Sequence, residues 1–356
     1  MKKVSLLFAS VALSVCVSFA QSNVATVSES GTNQTATVGQ TGILNVSHVT
    51  QSTKGNTANV EQSNLNLLYN TLSDINQSGE KNLATVKQIA NGTLTGANAI
   101  GTLKAIVNQS GNKNEALQVQ GPHNQQGISF AEIIQGGDKN FASQHQLKYG
   151  NEARINQAGS GNTAEQAQDS ELLPDEEGSY GNALIEQSGN NNFASQKQDG
   201  WANEAKAYQS GSGNSSIQVQ KDYSWKSVAL VNQSGSLNMA TQTQVGNTNS
   251  ALIDQSSNSN EAIQDQKSGS QKTAGYAPLN KANIYQSEGT GNYAEQSQEN
   301  LAGSLMVNEG VITQIGFGND AYQTQWGGDN YSSVYQSGTG NMATVTQNMS
   351  VVQVNP

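Results

Sequence analysis

Residues 151–168 read NEARINQAGSGNTAEQAQ. Every second position from Asn151 is small, apolar or an amide: Asn151, Ala153, Ile155, Gln157. The positions between them, Glu152, Arg154 and Asn156, are polar or charged. After the run Ala158, Gly159, Ser160, Gly161 the alternation resumes with Asn162, Ala164, Gln166 and Gln168. Period two held over seven residues is the signature of a β-strand with one face buried. The stretch therefore predicts a strand, a four-residue turn and a second strand; one further four-residue turn closes a unit of 22 residues. Glycine in the first turn permits the positive φ that so tight a reversal needs.

The unit recurs along the chain. The spacing of Gln157, Asn162 and Gln168 returns at Gln51/Asn56/Gln62, Gln77/Asn82/Gln88, Gln109/Asn114/Gln120 and Gln135/Asn140/Gln146. It is found again at Gln187/Asn192/Gln198, Gln209/Asn214/Gln220, Gln233/Asn238/Gln244 and Gln255/Asn260/Gln266, then at Gln314/Asn319/Gln325 and Gln336/Asn341/Gln347. Two looser copies, Glu29/Gln34/Gln40 and Gln286/Asn292/Gln298, bring the number to thirteen. A shuffled chain of this Gln and Asn content gives on the order of one match, so the repeat is the organising feature. The halves of a unit are themselves related, as Gln40/Asn45/Gln51/Asn56/Gln62 shows at a spacing near eleven.

Two strands per unit, each unit stacked on the next, predict an all-β, two-sided β-solenoid with cross-β stacking. Its core is thin, one Ile or Val and two Ala per coil beside four or five inward amides. A buried amide left unbonded costs about 1–3 kcal/mol. Stacking identical residues in register removes that cost, because each side-chain amide donates to its copy one coil away, forming Asn/Gln ladders. Composition alone points elsewhere: the chain is 34% apolar, against about 45–50% in ordinary domains, which suits a disordered polar tract. Such a tract has no reason to keep the alternation or the fixed Gln/Asn phase.

Residues 1–20 read as a secretory signal: Lys2 and Lys3, an apolar run, then Ser18-Phe19-Ala20 before Gln21. Cys16, the only cysteine, admits a lipoprotein reading, but Val15 stands where such a site wants a small residue. The solenoid is expected over 21–347, with 348–356 as a tail. The formal charge is −10, or −12 without Lys2 and Lys3, which argues against nucleic acid and anionic membranes as partners. Extra residues almost all follow the second strand, with long runs after Gln88, Gln168 and Gln266, and Pro122, Pro174 and Pro278 fall in extended connections of this kind. These connections are expected to lie outside the hydrogen-bonded coils and to decorate one edge.

The tandem Gln-x4-Asn-x5-Gln unit, with Gly two residues after the first Gln and Ala two residues after the Asn, resembles the curlin repeat of curli fibre subunits across nearly all of residues 23–347. The resemblance implies an amyloid β-solenoid that grows by templating outside a Gram-negative cell and builds biofilm matrix. It also implies a nucleator subunit and outer-membrane secretion machinery as partners. By position, residues such as Gln109, Asn114, Gln120, Gln135, Asn140 and Gln146 take the ladder roles. Three features depart from the family pattern. Asn151, Asn203, Asn249 and Asn330 stand where the best-known subunits have Ser, the units number thirteen, and no glycine-rich leader precedes them.

No catalytic constellation stands out, and neither an enzyme nor a cofactor is expected. His48 and His145 fall on outward positions and His123 lies beside Pro122, with no nucleophile placed near them. Glu171, Asp175, Glu176 and Glu177 lack the ligand spacing of a calcium loop. Trp201, Trp225 and Trp326 fall near second turns, a placement suited to stacking on sugars or a neighbouring fibre and equally to loop packing. The expected function is a self-assembling subunit of extracellular fibres, with adhesion to polysaccharide or host surfaces. The alternatives are a monomeric repeat adhesin or matrix-binding protein, or a minor fibre nucleator.

Overall fold

The structure, a computed structural model, describes residues 22–65, 69–90, 101–121, 127–148, 150–168, 180–268, 280–300 and 307–348. The signal segment with Cys16, His123, the acidic group at 171–177, all four prolines and most of the long connections lie outside the described residues. The chain divides into two compact units, Met1–Tyr149 and Gly150–Pro356.

Among its described residues the first unit holds ten strands in five coils. They are β1 (Val24–Thr32), β2 (Thr35–Gly42), β3 (Asn45–Lys54), β4 (Thr57–Asn64), β5 (Tyr69–Gln77), β6 (Leu83–Ala90), β7 (Gly101–Gln109), β8 (Glu115–Gln120), β9 (Gly127–Asp138) and β10 (Phe141–Gln146). Each coil gives one strand to each of two parallel sheets, ordered β1-β3-β5-β7-β9 and β2-β4-β6-β8-β10. The second unit repeats the plan, with sixteen strands among its described residues, from β11 (Glu152–Ser160) and β12 (Thr163–Gln168) to β25 (Tyr331–Thr339) and β26 (Met342–Asn348). Every named element among the described residues is a strand. The two-sided β-solenoid expected from the repeat is the observed fold.

Register follows the repeat. Ala153, Ile155 and Gln157 of β11 stand against Ala183, Ile185 and Gln187 of β13 (Asn182–Asn190). A slip of one residue would turn every inward side chain to solvent, so the alternation fixes the pairing. Ile155, Ile185, Ile253, Ile284 and Ile312 are buried in the second unit, flanked by buried alanines such as Ala153, Ala262 and Ala294. Burying each Ile contributes about 1.5–3 kcal/mol.

Two features depart from the expected outline. The first turn is not a gap between strands, because pairing runs on through Gly159 with Gly189 and Ser160 with Asn190. The connections also take part in the fold at their ends. Tyr69 pairs with Gly101, and Tyr69, Ala90 and Leu103 form a small buried cluster of their own. A Cβ on Gly101 would stand 1.9 Å from Cε1 of Tyr69, so the missing side chain makes room for the ring. The run between Gln88 and Leu103 is thus anchored at both ends in the core, and is not wholly outside the coils.

Candidate functional site

The inward amides are the chemistry this chain concentrates. Gln51 Nε2 donates to Gln77 Oε1 at 2.7 Å, Gln77 to Gln109 at 2.7 Å and Gln109 to Gln135 at 2.8 Å. On the opposite sheet Gln40, Gln62, Gln88, Gln120 and Gln146 form a second ladder at 2.8–2.9 Å. In the second unit the ladders run from Gln157 through Gln187, Gln209, Gln233, Gln255, Gln286 and Gln314 to Gln336. The facing ladder runs from Gln168 through Gln198, Gln220, Gln244, Gln266, Gln298 and Gln325 to Gln347. The predicted Gln ladder residues within each unit are therefore brought into rows.

The second N–H of these amides crosses the core. Gln120 Nε2 also donates to the Lys104 carbonyl, and Gln187 Nε2 to that of Thr163. Each such glutamine ties its own coil to the next one and one sheet to the other.

The asparagines form a ladder of another kind. The backbone N–H of Asn82 donates to Oδ1 of Asn56, that of Asn114 to Asn82 and that of Asn140 to Asn114, at 2.9–3.0 Å. Asn162, Asn192, Asn214, Asn238, Asn260, Asn292, Asn319 and Asn341 repeat the bond in the second unit. Their Nδ2 groups hold turn carbonyls, as Asn192 does at Ser188 and Gly211. Asparagine, one methylene shorter than glutamine, is thus placed where the strand leaves the turn.

A third glutamine row lies two residues before the second ladder position. It joins Gln118 to Gln144, then Gln166, Gln196, Gln218, Gln242, Gln264, Gln296 and Gln323 in the second unit. The alternation marks these residues as inward, but the Gln-x4-Asn-x5-Gln spacing passes over them. Val38, Val60 and Val86 fill the slot in the first three coils and Val345 in the last described one.

All the glutamine ladders point one way: each Nε2 donates toward the C-terminal side. A head-to-tail row leaves its first carbonyl without a donor. Two glutamine carbonyls among the described residues are buried and unbonded, Gln51 Oε1 and Gln118 Oε1. Gln118 follows Val86 in its row. Gln51 follows Glu29, whose carboxylate accepts but does not donate.

The paired charges lie outside. Lys87–Glu61, Lys267–Glu299 and Lys281–Glu309 pair between neighbouring coils at 2.8–3.1 Å, partly or fully in solvent. The bond to Glu309 raises the Lys281 pKa. His48 is exposed on β3, and His145 lies on an outward position of β10. Trp201, at the end of β14 (Phe193–Trp201), and Trp225, at the end of β16 (Ser215–Trp225), lie with ring centres 5.7 Å apart and planes tilted by 33°, with Lys226 4.8 Å from the Trp225 ring. No cluster of three metal-ligating side chains occurs among the described residues. The grooves along the sheets are shallow, lined in the second unit by Asn156, Glu186, Tyr208, Asn232 and Asp254.

The class defined by this arrangement is a parallel β-solenoid cross-linked by buried amide ladders. No protein-family profile and no curated protein matches the chain.

Proposed function

We propose that this chain is the structural subunit of an extracellular, curli-like amyloid fibre, secreted by a Gram-negative bacterium and assembling end to end into biofilm matrix. The supporting observation is the direction of the ladders. The coil β25–β26 carries Gln336 and Gln347, which accept from Gln314 and Gln325. Among the described residues no further coil takes their own ladder N–H groups. The coil β1–β2 carries the acceptors Glu29 and Gln40. An unpaired parallel edge recruits further strands, and a contact between unlike ends need not close, so it builds filaments. A nucleator subunit, outer-membrane secretion machinery and a polysaccharide or host surface are the partners of this reading. It assigns the chain no enzymatic role.

The test is polymerisation of the purified chain. A lag that preformed seeds abolish, amyloid-dye binding and fibres in electron micrographs are expected. A chain that stays monomeric for days at high concentration by light scattering overturns the proposal and leaves the repeat adhesin in its place.

A further inference from the structure

We infer that the first-turn edge of the first unit is a docking ridge for a linear acidic polysaccharide, one whose carboxylates are spaced along a single chain of sugar rings. The inference rests on the extracellular placement in the reading above and is independent of fibre growth.

Lys81, Lys113 and Lys139 hold the same place in three successive coils. Each has a left-handed backbone, at φ of 58–59°. Each N–H donates to a carbonyl of the preceding coil, Lys81 to Lys54, Lys113 to Glu80 and Lys139 to Asn112, at 2.9–3.0 Å. With backbone and anchoring alike, their Cα–Cβ bonds leave the turn in one direction, about 4.8 Å apart. One coil earlier the place is taken by Gly55, where a Cβ would lie 3.6 Å from Cγ of Lys81. The lysine stem therefore lies beside the bare glycine, and Lys54, just before that glycine, extends the row to a fourth coil.

Nothing within the described residues accounts for the row. A left-handed backbone suits glycine or asparagine, and the second unit has Gly161, Asn191 and Gly213 at this place. Like charges in register on neighbouring strands repel. All four lysines are exposed, and none pairs with a carboxylate among the described residues. Lys87, Lys206, Lys267 and Lys281 each do. A row that breaks two local rules without a compensating contact in the fold marks a functional surface.

Anions laid along the row would relieve the repulsion and accept charge-assisted hydrogen bonds. Spacing selects the polymer. A sugar ring with its glycosidic oxygen is about as long as one coil is high, so an extended polyuronate can meet successive lysines with successive carboxylates. Duplex DNA carries a charge for about every 1.7 Å of its length. That is too dense for a row whose neighbouring column holds Glu80 and Asp138. Single-stranded nucleic acid binds on stacked aromatic rings, and the turns 30–33, 52–55, 78–81, 110–113 and 136–139 contain no aromatic residue. The net charge of −10 acts weakly here, since physiological salt screens charges beyond about 8 Å.

The experiment measures binding of the unassembled whole chain to immobilised alginate, a polyuronate, with neutral dextran and duplex DNA alongside. The parent should bind alginate, release it as salt rises, and ignore dextran. Lys81→Gln, Lys113→Gln and Lys139→Gln together should weaken alginate binding about ten-fold, the sum of three exposed ion pairs, with the melting temperature unchanged or raised. Lys87→Gln, Lys267→Gln and Lys281→Gln remove as much charge elsewhere and should leave binding near the parent's. Asn191→Lys, Gly213→Lys and Leu237→Lys, added to the first variant, rebuild the column in the second unit and should restore binding.

A parent that ignores alginate overturns the inference. So does binding that survives the first variant, falls equally in the second, or is not restored by the rebuilt column. Duplex DNA held more tightly than alginate through the same lysines also overturns it and makes the edge a nucleic-acid surface. In each case fibres on microscope grids leave the fibre reading standing. A parent that binds alginate through the ridge but never forms fibres overturns that reading alone.

Discussion

A glutamine side chain brings two N–H donors and one carbonyl into a dry interior, and each needs a partner. In the middle of a ladder all three find one. Gln242 accepts from Gln218 and donates to Gln264 and to the Leu230 carbonyl. Gln242→Leu strands an N–H on Gln218 and a carbonyl on Gln264, at about 1–3 kcal/mol each. Gln118→Leu differs, because Gln118 Oε1 is already unbonded. Losing that carbonyl offsets the orphan created on Gln144, so the change should cost little. Urea denaturation should separate the two variants by about 2 kcal/mol or more, and equal midpoints would contradict the ladder direction. Charge at an outward position has its own signature. Burial pushes the Asp254 carboxyl above its ordinary pKa, so the folded state holds the proton more tightly than the unfolded one and the charged form weakens folding at neutral pH. Asp254→Asn should raise the melting temperature at pH 7. The gain should shrink as pH falls through the raised pKa and the parent itself takes up the proton.

Strands and turns differ in how far their residue types reveal them. Alternation such as Asn151, Ala153, Ile155, Gln157 gave faces and register directly, because period two has one structural meaning. The direction of the ladders was not legible, since a glutamine and its copy are identical in sequence and only geometry says which one donates. Nor was the Tyr69–Ala90–Leu103 cluster, whose members lie outside the repeat. The first turn was legible only as glycine-rich, and the structure separates its two left-handed positions. One holds Gly189, Gly211 and Gly235 at φ of 96–101°, and a Cβ on Gly189 would stand 2.0 Å from the Gly211 carbonyl oxygen of the next coil. The other holds Lys81, Lys113, Asn191 and Leu237 at φ of 55–59°, where a side chain is tolerated. Gly189→Ala should therefore cost about 1–3 kcal/mol or more. Gly318→Asn, at φ 58° with nothing within 4 Å of an added Cβ, should stay within about 0.5 kcal/mol. A reversed order in thermal melts would mean that the two columns have been exchanged.

At the scale of the molecule, each coil is held by its neighbours, and stability is close to a sum of nearest-neighbour terms. Interior coils are bonded on both sides: β7 is paired with β5 and β9. Among the described residues, β1 is bonded only through β3, and β26 only through β24 (Asp320–Trp326). Exposure follows this, since β26 has no fully buried residue while every second residue of β7 is buried. Local opening free energies track such differences. In the unassembled chain, amides of residues 24–42 and 331–348 should exchange fastest among the described strands, by ten-fold or more. Assembly then discriminates between modes of growth. If fibres grow coil on coil, these two segments gain partners and should become as protected as β13 and β14, while interior strands barely change. If copies instead associate side by side through outward residues, both terminal segments should keep exchanging fast in the fibre. Hydrogen exchange read by mass spectrometry on monomer and fibre distinguishes the two. Persistent fast exchange at 24–42 would exclude growth at the β1–β2 edge, because every parallel partner there must take or give backbone hydrogen bonds.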